Sequence, residues 1–283
     1  PLVLLIFLYN LKSQEAELGF LALLEVQAGS TTRWLLCRVL FYVGLLWAVI
    51  VLLLLYGALL TPVMTLAPKA FAAMVLYSTL YLLFWTLNYF MILKKGTGIM
   101  GNALKMVGMW LIVAFVIPAA VHQWVSIQKP VEFMTEFIDA QRDQLWKLYD
   151  LPDSVKQAKV DALFPDIVES PVAGDSTRLA AAYRTSMPAV ANELRKKPLV
   201  SIEADNASKN ALVRASYPIN PVAFFQNRFN RIAHTHYDDY ALYRHHIQSL
   251  IDKQISTMVL DTWQDVTVDK QRFLEYQEFL SQP

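Results

Sequence analysis

The stretch His234-Thr-His236-Tyr-Asp238-Asp239-Tyr-Ala-Leu-Tyr-Arg244-His245-His246 gathers imidazoles and carboxylates more densely than any other part of the chain. His234 and Asp238 are four apart and share a face if the segment is helical, and sets of that spacing can bind zinc or copper. The spacing recruits no third ligand, however. The reading adopted is a solvated face whose acids and imidazoles pair with neighbours, with no metal and no cofactor assigned. The single cysteine, Cys37, excludes an internal disulfide and reads as a small packing residue at the start of an apolar run. No His-Glu-x-x-His, Gly-x-Ser-x-Gly or Gly-x-x-x-x-Gly-Lys-Ser/Thr pattern occurs, so no catalytic residue is assigned and the chain is not expected to be an enzyme. Asn206-Ala-Ser208 matches a glycosylation sequon, which matters only on a eukaryotic secretory route.

Two further polar residues, Thr86 and Asn88, stand inside an apolar run. They are candidates to line a transport path, against the commoner use of such groups in interhelical hydrogen bonds. The run that holds them is one of three. Of 283 residues, 55% are hydrophobic and only 17% charged, and nearly all the apolar surplus lies before about Val125. Crossing a ~30 Å hydrocarbon core takes about 20 apolar helical residues. Residues 34–60, 71–93 and 106–125 meet that test, the last with Pro118 as a kink accommodated by neighbouring helices. A formal net charge of +1 gives no electrostatic footprint for nucleic acid. Lys12 and Arg33 precede the first span, Arg38 lies at its start, and Lys94, Lys95 and Lys105 follow the second. Positive loops face the cytoplasm, so the region from about Ser126 onward is expected outside it. The fold expected is all-α, a polytopic transmembrane helix bundle over residues 1–125 with a mostly helical extracytoplasmic domain over 126–283.

Before the first span lies an acidic segment, Leu11 to Ser30, read as one short helix over about 13–29. Leu18, Leu21 and Leu24 form one face, Glu15 and Glu17 suit its N-terminus, and Ala28-Gly29-Ser30-Thr31-Thr32 ends it and caps the next helix at Ser30, Thr31 or Thr32. Interfacial membrane helices are usually rich in Lys and Arg. This one is acidic, which points to a protein partner.

Glu15-Ala-Glu17-Leu18-Gly19-Phe20-Leu21-Ala22-Leu23-Leu24 resembles the Glu-x-Glu-x-Gly-Thr-Leu-x-x-Leu segment of ABC-2-type transporter permeases, and Ser30-Thr-Thr-Arg33 matches the Ser/Thr-Arg stretch that follows it. Phe20 departs from the family's Thr. The layout is also distantly similar to the permease of the nitrous-oxide-reductase maturation system. The resemblance implies a bacterial inner-membrane permease subunit of an exporter, with Glu15, Glu17, Gly19, Phe20, Leu21, Glu25 and Arg33 at the interface with a separate ABC ATPase subunit. It implies a second permease subunit, a segment before Pro1 and a further span after Pro283. A second expectation is a mechanical transmitter acting on an extracytoplasmic protein without substrate passage, favoured by a helix continuing outward from the third span through Val131, Met134, Phe137, Ile138, Leu145 and Leu148.

In the outer domain, helices are expected over about 153–163, with Asp153 or Ser154 as cap, over Pro221 to Gln264 with a break near His234 or Asp238, and from Asp265 to about Leu280. Gly174, Pro188 and small residues predict loops from Pro171 to Ala191.

Overall fold

The structure is a computed structural model that describes residues 1–96, 98–130, 138, 142–143, 146–165, 167 and 170–281. The described residues contain helices and no strand. They divide into two compact units, one of Pro1–Val125 with Leu212–His236 and one of Ser126–Ala211 with Tyr237–Pro283.

In the first unit, α1 (Leu2–Leu8), α2 (Leu11–Glu17) and α3 (Leu21–Ala28) lead into α4 (Thr31–Leu60), the single turn α5 (Val63–Leu66) and α6 (Pro68–Lys95). Then α7 (Ile99–Leu111), a π turn (Ile112–Val116) and α8 (Ile117–Gln128) form one continuous helix. Three helices are therefore long and apolar enough to cross a membrane: Thr31–Leu60, Pro68–Lys95 and Ile99–Gln128. At 1.5 Å per residue each exceeds a ~30 Å hydrocarbon core. The third begins at Ile99 rather than 106, because Gly98 opens the helix and Asn102 and Lys105 are taken into its first turns. Pro118, which offers no N–H, is accommodated within its own helix. The π turn ahead of it lets the Ile117 N–H bond back to the Ile112 carbonyl.

Helical periodicity builds the core. Leu35, Val39 and Val43 of α4 face Leu82, Trp85, Tyr89 and Leu93 of α6, with Leu4 and Leu8 of α1, Leu11 of α2 and Met106 of α7 filling between them. The opposite faces are equally apolar but open: Leu53 is 65% and Leu59 83% exposed. So broad an uncovered apolar surface suits hydrocarbon and not water.

The first unit also takes in Leu212–His236, which the sequence reading places with the region after Ser126. Helix α11 (Pro221–Ile232), capped by the Asn220 side chain and opened by Pro221, belongs to the first unit. Phe225 is buried against the rings of Tyr81 at 5.2 Å and Phe84 at 6.5 Å. The sequence announced this helix's apolar face but not which element covers it.

The second unit holds α9 (Asp153–Leu163), a 3-10 turn (Pro171–Gly174), α10 (Ser176–Ala215, to Ala211), α12 (Tyr237–Trp263) and α13 (Lys270–Ser281). Of the loops expected from Pro171 to Ala191, around a helical Arg178–Tyr183 patch, the part from Ser176 onward is instead the start of the 40-residue α10, which passes through Pro188 and Pro198. Each proline costs one intrahelical bond without ending the helix. Asp153 is the first residue of α9, and no side chain caps that helix. The break expected near His234 falls at 233–236, between α11 and α12. Of the helix expected to continue outward from the third span, Val131, Met134, Phe137 and Leu145 lie outside the described residues.

Trp263 anchors this unit. It is 2% exposed, packs edge-on against Tyr183 at 5.0 Å, and donates its indole N–H to the Ser186 hydroxyl at 2.8 Å. Ser186 in turn donates to the Ala182 carbonyl at 2.8 Å. Two residues earlier, Asp261 is 4% exposed and receives two bonds of 2.7 Å from the Arg272 guanidinium and one from the Tyr276 hydroxyl, fastening α13 to α12. The Arg272 guanidinium, assisted by Tyr276, holds the Asp261 carboxyl below the usual carboxylate range. A depressed folded pKa contributes stability that is complete above the unfolded value of about 3.9 and is lost as pH falls through the folded one. Acidification below about pH 4 is expected to loosen α13. Amide exchange of α13 against pH should show this loss in the wild type and its absence in Asp261→Asn; matching profiles would rule the pair out as the cause.

Candidate functional site

The acidic segment that the sequence singles out folds as two helices rather than one over 13–29. Its break has a local cause. At the end of α2 the Phe20 N–H bonds to the Glu15 carbonyl at 2.9 Å and the Gly19 N–H to Ala16 at 3.1 Å, around Gly19 at φ 75°. This is a Schellman ending, and the left-handed conformation it requires is cheap for glycine. Gly29, at φ 71°, ends α3 in the same conformation. Leu18 therefore lies in the turn and does not share a helical face with Leu21 and Leu24. Ser30 sits at the start of α4 as expected, although its side chain makes no capping bond.

The short α2 is tied to all three long helices. Lys12 Nζ donates to the Lys94 carbonyl at the end of α6 at 2.8 Å, where helical carbonyls lack internal partners. Ser13, 0% exposed, accepts from the Asn102 side-chain amide of α7 at 2.7 Å. Glu15 pairs with Arg38 of α4 at 3.1 Å, and that guanidinium lies 5.0 Å over the Trp34 ring. Space around Asn102 is tight. A Cβ placed on Gly96 would come within 1.6 Å of Asn102 Oδ1. Leu11, Leu35, Leu93 and Met106 seal the junction from the apolar side.

By contrast α3 is open. Leu21 and Leu24 are half-buried, whereas Phe20 is 49%, Leu23 56% and Val26 83% exposed, and Glu17 and Glu25 also face outward. Apolar residues run around α3 rather than along one stripe. Arg33 is exposed in the first turn of α4. The anticipated interface residues thus separate into Glu15, which is engaged within the chain, and Glu17, Gly19, Phe20, Glu25 and Arg33, which are accessible. Sequence reasoning missed Lys12, Ser13, Gly96 and Asn102. The signal for Asn102 was present, as a carboxamide at the head of an apolar helix beside Gly96, Gly98 and Gly101.

The remaining candidates take other places. Thr86 is buried and its hydroxyl bonds to the Leu82 carbonyl at 2.7 Å, while the Asn88 amide bonds to Phe84 at 2.8 Å. Both turn back onto their own helix rather than across to another. His234, at φ 54°, lies in the break before α12 and does not share a helical face with Asp238. His245 lies 3.2 Å from Glu203, which also receives Arg244 at 2.7 Å. Among the described residues no group of three His, Cys, Asp or Glu could hold a metal. Cys37 is exposed on α4.

Comparison with protein-family models, curated proteins and solved structures finds no match for the chain.

Proposed function

We propose that the chain is the membrane-spanning permease subunit of an ABC exporter in a bacterial inner membrane, coupling ATP hydrolysis by a partner ATPase to substrate export. It would act beside a second permease subunit, with its C-terminal part outside the cytoplasm. The observation that supports this reading is the asymmetry of the α2–α3 pair. Helix α2 is fixed to the ends of three membrane-length helices, while its last residue Glu17, Phe20 in the turn, and Leu23, Glu25 and Val26 of α3 face whatever lies beyond. An element exposed on one side and bonded to the spans on the other is suited to pass on a partner's movement.

Charge reversal at Glu15 would also break its pair with Arg38, so the clean test is Glu17→Lys with Glu25→Lys. This variant is expected to lose co-purification of the partner ATPase subunit by at least about tenfold, the scale of like-charge juxtaposition at an interface. Undiminished assembly and ATPase coupling would refute docking through α3.

A second reading is mechanical transmission to an extracytoplasmic partner without substrate passage. In reconstituted vesicles, ATPase activity stimulated by substrate supports export. Stimulation by an external protein alone supports transmission.

A further inference from the structure

The second unit contains a groove between α10 and α12. Arg184, Met187, Ala191 and Arg195 line one wall at helical spacing, and Ile251 and Ile255 line the other, enclosing 680 Å³. That volume falls within the ~300–1,000 Å³ of small-molecule sites, which are mostly apolar with a few convergent polar groups. An adjoining cavity of 550 Å³ shares Tyr149, Arg184 and Met187 with it, so Arg184 stands at the junction of two compartments.

Among the described residues the charges at the groove do not cancel. Asp252 beside it already receives Lys196 at 3.0 Å, Asn192 at 2.6 Å and Gln248 at 2.9 Å. Burial pushes its carboxyl up, and these three partners outweigh burial and leave it below the ordinary value. Asp153, in the adjoining cavity, pairs with Lys156 at 3.3 Å. Arg184 and Arg195 are exposed, and neither makes an ion pair or hydrogen bond with any described residue. They are about three helical turns apart and so lie on the same face. Two surplus guanidiniums over an isoleucine and methionine floor define an acceptor for a ligand that is anionic at one end and apolar along its length. Guanidiniums grip carboxylate and phosphate through paired N–H donors.

We propose that this groove binds an anionic amphiphile, its acidic head held by one of the two guanidiniums, Arg184 or Arg195, that stand at opposite ends of the wall, and its tail laid along Met187, Ile251 and Ile255. The site stands on the second unit by itself and does not rest on the export reading. The shared ligand chemistry has two sources, a fatty-acid carboxylate and a lysolipid phosphate.

The test uses the full chain in nanodiscs of phosphatidylcholine, with two photoreactive probes below their micellar concentrations: a diazirine-tailed fatty acid and a diazirine-tailed lysophosphatidic acid. Labelling is expected on the segments holding Met187 or Ile251–Ile255, competed by the unlabelled anion and not by an alcohol of equal chain length. Arg184→Gln with Arg195→Gln should reduce it by about tenfold or more, the scale of losing a charge-assisted hydrogen bond. Arg184→Lys with Arg195→Lys should retain most of it, which separates lost charge from lost folding. The probe labelled more heavily identifies the source. Equal labelling of the wild type and the Gln variant, equal competition by the alcohol, or stronger competition by an acidic peptide than by either amphiphile would each overturn the proposal.

Discussion

Replacing Trp263 with alanine is expected to destabilise the second unit by about 3–5 kcal/mol, the usual cost of emptying a fully buried aromatic site. The side chain packs on Tyr183 in the first turns of α10, and its removal would also strip the Ser186 hydroxyl of its donor. Local protection against amide exchange in α10 and α12 should fall by about a hundredfold or more, since ~1.4 kcal/mol corresponds to tenfold in an equilibrium. Trp263→Phe isolates the polar part. It keeps most of the ring and loses the indole N–H, so a loss of about 1–2 kcal/mol is expected. If Trp263→Ala leaves exchange in both helices unchanged, the placement of this side chain at the centre of the unit is wrong.

The second large effect is expected at Gly96. The backbone there is ordinary extended chain, φ −80° and ψ 147°, so conformational freedom is not the issue. Space is. The Cβ of Gly96→Ala would overlap the Asn102 carboxamide, which is 1% exposed and already committed to Ser13. Crowding of this kind costs about 1–3 kcal/mol, and displacing a buried amide from its partner adds a comparable amount. The variant should therefore lose about 2–4 kcal/mol, seen as a lowered thermal midpoint of the full chain in detergent. A double-mutant cycle with Asn102→Ala identifies the cause. In that background, Gly96→Ala should cost far less. An equal cost in both backgrounds would show that the clash is not the mechanism.

How much of this could be read in advance differs from element to element. The three long apolar runs were legible because hydrocarbon-length hydrophobicity is a local property of composition. Their ends were less so. Asn102 and Lys105 look like loop residues, yet they are the opening turns of the third long helix, because Asn102 finds Ser13 89 positions away. The same limit hid α10. Pro188 and Pro198 each remove a donor, a local signal for a loop, and nothing local shows that Ala182, Ala189 and Val190 bury against Val259 and Trp263 and keep the helix intact. At the candidate site the types Glu15, Glu17 and Gly19 were found by resemblance. Their division of labour was not, since a carboxylate bonded to Arg38 and one facing outward look alike in sequence. Gly19 is the instructive case. It drew notice as an interface residue, and the structure gives it a conformational task, terminating α2.

A body held at one point can swing, and one held at two can still roll about the line between them. Helix α2 is held at three, by Lys12, Ser13 and Glu15, each bonded to a different long helix. It has no independent rotation left. Immediately after it, Gly19 ends the helix, so the fixed segment and the exposed α3 are separate pieces. The start of α2 is thereby a shared fastening for three helix ends, which meet on one side of a single short helix.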